Sequence, residues 1–254
     1  MSLDGPAFYD DDTVFRTYTQ HRQRPENPND TLEQPCIREL LGPLVGQRIL
    51  DLGCGSANFG LEVLAQGAEQ YVGIDGSSNM VAVARETLQG TRGHIIHAPI
   101  ETWQYPADAF DIVVARLVLH YIADVGNLCG HIYQSLVNGG RFVFSVEHPV
   151  ITSCDRGWHA GTARQDWLVD NYFETGVRTT TWLGGEVRKY HRTIEDYFGI
   201  LQQTGFVVQG LREARPVRAN FITNGEYERR KRIPLFLMLV GGKPRGEDQA
   251  EQIA

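Results

Sequence analysis

Short apolar runs alternate with amphipathic segments along the first 150 residues of the chain. Buried-strand patterns occur at RILDLGC (48–54), YVGID (71–75), HIIHAPI (94–100), FDIVVARLVLHYI (110–122) and RFVFSV (141–146). The segments between them, 59–66, 78–88 and 125–136, carry apolar positions at helical spacing, and Gly139-Gly140 is predicted to end the last helix. Strands that alternate with helices in this way predict right-handed βαβ units and a parallel sheet covered on both faces.

The N-terminal region and the region after residue 148 do not follow this alternation of strands and helices. The first 35 residues are polar and contain Pro25 and Pro28, so we expect a loose arm with about one helical turn, followed by a helix from Thr31. Residues 149–193 are rich in Trp, Thr and Gly and predict turns with a hairpin. TIEDYFGILQQTGF then resumes a helix, and VVQGL and PLFLMLVGG supply two final strands.

Composition narrows the class of protein. The chain has 254 residues, 42% of them hydrophobic, and a net charge of −7, so a general polyanion binder is not expected. No apolar run approaches the roughly 18 residues of a membrane span, and the first residues lack the features of a secretory signal. Four scattered cysteines without a C-x-x-C pair argue against metal clusters or a disulfide scaffold and suit a reducing cytoplasm.

A glycine-containing turn follows the first predicted strand. In LDLGCGSA, Gly53 and Gly55 stand in G-x-G spacing, which lets a backbone approach a nucleoside closely. A dinucleotide fingerprint would require a third glycine where Asn58 stands. Asp75 ends the next strand and can accept hydrogen bonds from both ribose hydroxyls. The pattern therefore favours a nucleoside site, with a tight turn that binds no ligand as the alternative.

These blocks together resemble the class I S-adenosylmethionine-dependent methyltransferases, from about Tyr18 to Gly241. The matching blocks are ILDLGCGSANFG, YVGIDGSSNMVAVAR, HAPIETW, FDIVVARLVLHYIAD, LVNGGRFVFSVEHP and KYHRT. In particular, SVEHP and the later HRT are similar to bacterial small-molecule methyltransferases of type 11/12. The resemblance implies S-adenosylmethionine as cofactor, with S-adenosylhomocysteine as product.

The resemblance also implies one α/β domain: a Rossmann-like, doubly wound, mostly parallel seven-stranded sheet with a cap insertion after strand five. Its expected parts are an N-terminal arm and helix (1–45), a cofactor-binding core (46–148), a substrate cap (149–193), the C-terminal part of the core (194–242) and a disordered tail (243–254).

The same resemblance implies which residues hold the cofactor. Those expected at its methionine and ribose are Asp51, Gly53, Gly55, Asp75 and Arg116. Those expected at its adenine are Gly76, Ser77, Met80, Ile100 and Glu101. Tyr18 and Arg22 match an N-terminal pair that covers the cofactor carboxylate in relatives, with a surface arm as an equal alternative. Many relatives have Asp where Ala98 stands, so the adenine amine would meet a backbone carbonyl or Glu101 instead.

Three histidines are candidates for the chemistry. Methyl transfer depends mainly on orientation and exclusion of water, and a base is needed only if the acceptor must lose a proton. His120, His148 and His191 fall near the ends of parallel strands, where they would face an acceptor. The competing interpretations are a pocket wall for His120, a shaped turn before Pro149 for His148, and a helix-entry contact for His191.

Other polar and aromatic clusters have simpler interpretations. His94 and His97 would face opposite sides of a strand, so no metal site is expected. The basic run Arg229-Arg230-Lys231-Arg232 reads as a solvated turn rather than a phosphate site. The aromatic residues of the insertion either wall the acceptor or form a small core of the cap. They are Trp158, Trp167, Tyr172, Trp182 and Tyr190.

The sequence therefore predicts a cytoplasmic methyltransferase, monomeric or homodimeric, that acts on an O or N atom of a small molecule under a lid formed by residues 149–193. The first alternative is an RNA or tRNA methyltransferase, which the acidic charge and ARLV in place of an N-P-P-Y type block disfavour. The second is a non-catalytic protein that senses S-adenosylmethionine, and a dehydrogenase is the third. No specific nucleic acid and no membrane are expected as partners.

Overall fold

A computed structural model describes residues 3–158 and 166–245, and it places seven strands of this part in one sheet. The strands of the whole described part are β1 (Arg48–Leu52), β2 (Gln70–Asp75), β3 (Gly93–His97), β4 (Phe110–Arg116), β5 (Leu136–Glu147), β6 (Gly176–Trp182), β7 (Gly185–His191), β8 (Val207–Glu213) and β9 (Phe236–Gly242). The large sheet has the order β3-β2-β1-β4-β5-β9-β8. The first five strands pair in parallel, and β9 runs antiparallel to both β5 and β8. The predicted doubly wound, mostly parallel seven-stranded sheet is thus confirmed.

Helices connect the strands and cover the sheet. The α-helices of the described part are α1 (Gly5–Tyr9), α2 (Asp12–Arg22), α3 (Gln34–Leu41), α4 (Asn58–Ala65), α5 (Ser78–Thr87), α6 (Val125–Ser135), α7 (Pro149–Thr152), α8 (Ile194–Thr204) and α9 (Asn224–Arg230). A π-helix, Asn29–Glu33, leads directly into α3, and 3₁₀ turns occupy Leu119–Tyr121 and Arg218–Asn220. The helix predicted from Thr31 therefore begins with a π turn.

Each face of the sheet has its own apolar core because successive strand residues point to opposite sides. On β4, Val113 packs with α6 and α8, whereas Val114 packs with α3 and α4. In α8, Leu201 is fully buried beneath this first face. A capping box formed by Thr193 and Asp196 starts α8.

The N-terminal region differs from its prediction. Instead of a loose arm, it forms α1 and α2, and the Asp11 carboxylate caps α2 by accepting hydrogen bonds from two backbone N–H groups. Phe8 and Val14 pack against Val187 of β7, and the backbone of Leu3 pairs with that same strand. The partner of these helices lies about 180 residues away in sequence, so a local pattern could not reveal it.

Several boundaries also differ. β3 ends at His97 rather than residue 100, and α6 gives way to β5 at Leu136 without a break. Gly139 and Gly140 lie inside β5, not at a helix end, because both pair with the backbone of Lys243 beyond β9. The predicted hairpin of the insertion is present as β6 and β7. Most of the predicted tail, 246–254, lies outside the described residues.

Within the described ranges, no helix has both the length and the apolar character needed to span a bilayer.

We expect Leu201→Ala to lower the free energy of unfolding by about 2–5 kcal/mol, because it leaves a cavity under α8. Urea unfolding followed by circular dichroism measures the change. The matched control is Leu61→Ala on α4, where the side chain is exposed and the loss should stay within about 0.5 kcal/mol. Equal losses for both variants would contradict the packing described for α8.

Candidate cofactor site and its cover

The turn between β1 and α4 is built from residues in the left-handed conformation. Gly53, Gly55 and Ala57 have φ angles of +68°, +55° and +56°. The N–H groups of Gly53 and Cys54 donate to the carbonyl of Ile74 on β2, at 2.8 and 3.0 Å. A side chain at Gly53 would collide with Val118, whereas one at Gly55 would enter open space. Gly55 therefore borders a space that a closely bound ligand can occupy.

Asp75 joins this turn to the turn after β2. One carboxylate oxygen accepts from the N–H of Gly55 at 2.9 Å, and the other accepts from the N–H of Ser77 at 2.9 Å. Burial raises the pKa of this carboxyl above its usual value. Each oxygen retains acceptor capacity, so the carboxylate can also receive two hydroxyl groups. The ribose role predicted for Asp75 is compatible with this geometry and stays a prediction.

Asp51, at the end of β1, is a second buried carboxyl. Tyr71 donates its hydroxyl to Oδ2 at 2.6 Å, whereas Oδ1 has no hydrogen-bond partner within the described residues. Burial raises the pKa of Asp51 to about 7. An unsatisfied buried acceptor is costly unless a donor from a ligand reaches it. The Oδ1 atom fits the ammonium group of a bound amino acid moiety.

Arg116 is the last residue of β4 and forms a buried ion pair that the sequence did not reveal. Its guanidinium donates to the carboxylate of Glu33, which is fully buried, and stacks over the ring of Phe59. Ser145 also donates to Glu33, at 2.8 Å. The only sequence signal was an acidic residue beside the apolar helical positions Leu32 and Cys36. The Arg116 side chain is thus engaged by Glu33 and Phe59, and the contact predicted between this position and the methionine moiety stays a prediction.

The residues predicted for the adenine follow two neighbouring strands, with Gly76, Ser77 and Met80 after β2 and Ile100 and Glu101 after β3. Gly76 faces Pro6 of α1, and the Ser77 hydroxyl donates to Asp10 at 2.7 Å while it accepts from the N–H of Met80. Met80 and Ile100 are buried, whereas Glu101 is exposed. Asp10, which the sequence did not indicate, thus docks α1 at the start of α5.

The N-terminal pair Tyr18 and Arg22 lies close together. The Tyr18 ring packs edge-on against Tyr9, and burial raises the pKa of its phenol, which the Arg22 charge lowers and the Asp75 charge raises. The Arg22 guanidinium donates to Asn27 and to Asp30 of the π-helix. Their predicted role at the cofactor carboxylate stays a prediction.

His148 has partners at both ring nitrogens. Its Nδ1 accepts from the N–H of Val150, so it caps α7, and its Nε2 lies 3.0 Å from a carboxylate oxygen of Glu213. Burial lowers the pKa of the imidazole. The alternative interpretation of His148, in which it shapes the turn at Pro149, therefore has support, because its ring accepts a hydrogen bond from the backbone N–H of Val150. The base role proposed for His148 stays a prediction, and this geometry favours a structural role.

The other two histidines are also buried. In His191, Nε2 donates to the carbonyl of Tyr172 at 2.9 Å and Nδ1 accepts from the Thr152 hydroxyl at 2.7 Å. Burial lowers its pKa as well. His120 lies on a 3₁₀ turn rather than a helix, and burial lowers its pKa to about 4. His120 is therefore neutral at pH 7, and its Nδ1 accepts from the N–H of Glu147.

Most aromatic residues of the insertion build the cap itself. Trp158 packs edge-on against Trp167, which donates its indole N–H to the carbonyl of Val150, and Tyr172 packs against His191. Trp182 differs, since it faces His21 of α2. The cover over the sheet edge is thus composite: α1 and α2 on one side and the β6–β7 hairpin on the other.

Comparisons with known proteins agree with this geometry. A family model described as a methyltransferase domain matches residues 50–144. A Mesorhizobium loti S-adenosylmethionine-dependent methyltransferase is 34% identical, with a TM-score of 0.78 over 83% of this chain and 97% of its own. A Listeria monocytogenes protein assigned to the same enzymes is 31% identical, with a TM-score of 0.79 over 84% and 97% of the two chains. An uncharacterised Haemophilus influenzae protein is 31% identical over 82% of this chain and 85% of its own.

Partial matches include different kinds of methyltransferase. A trans-aconitate 2-methyltransferase of Variovorax paradoxus is 32% identical over 54% of this chain and 48% of its own length. A tRNA U34 carboxymethyltransferase of Haemophilus influenzae is 34% identical over 41% and 33% of the two chains. These matches do not distinguish between a small molecule and a tRNA as the acceptor.

The raised pKa of Asp51 predicts a pH dependence of stability in the cofactor-free protein. A folded pKa of about 7, above the unfolded value of about 3.9, means that the folded state binds more protons, so stability falls as pH rises from 4 to 7. Between pH 5 and 8, the free energy of unfolding should fall by about 2–3 kcal/mol relative to Asp51→Asn. Urea unfolding at both pH values measures it. Asp155→Asn, at an exposed position, should follow the wild type, and parallel curves for Asp51→Asn would refute the assignment.

Proposed function

Since the chain belongs to the S-adenosylmethionine-dependent methyltransferases, we propose that it methylates an oxygen or nitrogen atom of a small-molecule acceptor. The observation that carries this proposal is the composite cover at the carboxyl ends of the parallel strands. Leu3 pairs with β7, Phe8 and Val14 pack on Val187, and Pro6 contacts Gly76. An acceptor must reach the site beneath or between these elements, which suits a compact molecule better than a folded RNA.

The residues of the turns fit the cofactor. We assign the ribose hydroxyls to Asp75 and the methionine ammonium to Oδ1 of Asp51. The space beside Gly55 would take the sugar, and Met80 and Ile100 would pack against the adenine. Bound S-adenosylmethionine supplies an electrophilic methyl group on a sulfonium. The protein's part is to orient an acceptor against that methyl and to exclude water.

The main basic run gives little support to a nucleic-acid acceptor. Arg229 and Arg230 pair with Glu226 on the same helix, and Lys231 pairs with Glu228. Contacts to phosphates need basic side chains that can replace counterions along the nucleic acid. Here neighbouring carboxylates neutralise much of the run. The four cysteines are unpaired, which supports the cytoplasm as the compartment.

Calorimetry with S-adenosylhomocysteine tests the cofactor residues. We expect Asp75→Ala to weaken binding by about 1.5–3 kcal/mol, or about 10- to 150-fold, because a charged acceptor for two hydroxyls is lost. Gly55→Val should abolish binding by filling the space beside the turn and forcing a β-branched residue into a left-handed conformation. The control Asp155→Ala should bind as the wild type does. Unchanged affinity in Asp75→Ala would remove the ribose role.

A labelling experiment tests the acceptor class. The protein is incubated with S-adenosylmethionine that carries a deuterated methyl, together with either the small-molecule fraction of a cell extract or purified total tRNA. We expect a labelled product in the small-molecule fraction, recognised by its mass shift, and none in nucleosides from digested tRNA. Binding to tRNA at about 150 mM salt should be no tighter than 10⁻⁶ M. Labelled nucleosides, or tighter sequence-dependent binding, would favour the tRNA alternative.

A further inference from the structure

An ion pair between Glu147 and Lys189 lies at the end of β5. The Nζ of Lys189 on β7 donates to both carboxylate oxygens of Glu147, at 2.7 and 2.8 Å. Lys189 is 5% exposed, whereas the Glu147 side chain is 26% exposed. The lysine is thus enclosed by protein, and the carboxylate is the member of the pair that a small molecule can reach.

The surroundings of Lys189 indicate that it holds Glu147 in place and does not itself contact a ligand. Its ammonium lies 5.7 and 5.8 Å from the ring centroids of Tyr121 and Trp182, so aromatic rings and a carboxylate surround it. Burial alone raises the pKa of Glu147, but the Lys189 charge, the nearby His120 and the two hydrogen bonds lower it below the usual value. Glu147 is therefore ionised at neutral pH and held in one orientation.

A row of three tyrosines connects Glu147 to the cofactor turns. Burial and the nearby Glu147 charge raise the pKa of the Tyr121 phenol. The Tyr121 hydroxyl lies 3.3 Å from that of Tyr9. Tyr9 packs edge-on against Tyr18, with 5.1 Å between ring centroids, and the Asp75 charge contributes to the raised pKa of Tyr18. All three rings are partly exposed. The row presents aromatic surface between the predicted ribose site and the carboxylate.

We propose that Glu147 is the acceptor-binding carboxylate and general base of the reaction, that Lys189 positions it, and that the acceptor is a hydroxyl group carried on an aromatic or other apolar ring. The proposal rests on the proposed methyltransferase function. It replaces His148 and His191 as candidates, since both use both ring nitrogens within the protein. It also replaces His120, which is buried and accepts at Nδ1 from the N–H of Glu147.

The charges around Glu147 favour a neutral hydroxyl over an ammonium group. Lys189 already neutralises the carboxylate, Arg192 lies near enough to His120 to lower its pKa, and the sulfonium of the cofactor adds a further positive charge. A cationic acceptor would meet net positive charge, and a protonated amine has no lone pair for attack. A neutral hydroxyl needs only one acceptor for its proton, and the tyrosine rings can pack against its apolar ring.

The proton balance is simple. The acceptor oxygen forms a bond to the methyl carbon as the carbon–sulfur bond breaks, and the electron pair of that bond stays on sulfur. Glu147 receives the hydroxyl proton and later releases it to water. The ether and S-adenosylhomocysteine are the products. Lys189 keeps the carboxylate ionised and aimed until the oxygen has begun to react.

Two variants and a matched control test the proposal on the full chain. Glu147→Gln keeps the shape of the side chain and removes its charge, and Lys189→Met removes the support. Glu228→Gln makes the same chemical change as the first variant in an exposed ion pair on α9. The probes are phenol and 4-methylphenol, which are neutral at pH 7, with benzylamine and 4-methylaniline as the amine counterparts.

Binding to the complex with S-adenosylhomocysteine is the first readout and needs no turnover. Titration of the phenols by NMR should show binding to the wild type and to Glu228→Gln, and binding at least 10-fold weaker to Glu147→Gln. Affinity for S-adenosylhomocysteine should stay within about twofold in every variant. A wild-type protein that does not bind S-adenosylhomocysteine would refute the proposed function itself. Intact affinity with equal phenol binding in Glu147→Gln would overturn only the acceptor proposal.

Turnover is the second readout. Glu147→Gln should lower kcat for the phenols by about 10²–10⁴-fold, the range of a lost general base. Lys189→Met should lower kcat as well, and the double variant should be no slower than Glu147→Gln alone, because the lysine acts through the carboxylate. Fully additive losses would reduce Lys189 to a structural residue. Failure of the wild type to bind or methylate either phenol, or faster methylation of the amines, would overturn the acceptor class.

Discussion

The Asp75 carboxylate is the constraint on which the site depends. It holds the N–H of Gly55 in one strand–helix turn and the N–H of Ser77 in the next, so it fixes two separate backbone segments at hydrogen-bond distance. That bond network defines where the left-handed turn lies relative to β2. Its two oxygens retain acceptor capacity beside a turn where Gly55 borders open space. One side chain thus shapes the turn, and the proposed function also gives it the ribose hydroxyls.

Features that depend on local geometry could be predicted from the sequence. The turn at Gly53 and Gly55 and the place of Asp75 at the end of β2 follow from short-range spacing, and the parallel sheet follows from the alternation of strands with helices. The predicted pieces beyond the insertion, α8, β8 and β9, were found for the same reason. Each is recognisable from fewer than fifteen consecutive residues.

Features that depend on distant partners could not be predicted. Glu33 reads as a surface acid until Arg116 and Ser145, 83 and 112 residues away, are placed against it. Lys189 reads as a hairpin charge until Glu147 is placed beneath it. The hydrogen bonds at both ring nitrogens of His148 and His191 are a further example, because they are a property of the folded chain that their place near the sheet edge does not show.

The pairing of Leu3 with β7 has a consequence for how the molecule forms. The two N–H···O bonds join Leu3 to Glu186 and Arg188, so the loop they close spans more than 180 residues. Closing so long a loop costs conformational entropy before the contacts that it brings together can stabilise the fold. Such contacts therefore form late in folding. During synthesis the cofactor turns emerge from the ribosome before residue 186 exists. The turns at Gly55 and Asp75 can thus take shape on the nascent chain before β7 is available to hold α1 and α2 in place, so the cover forms only once the chain extends past residue 188.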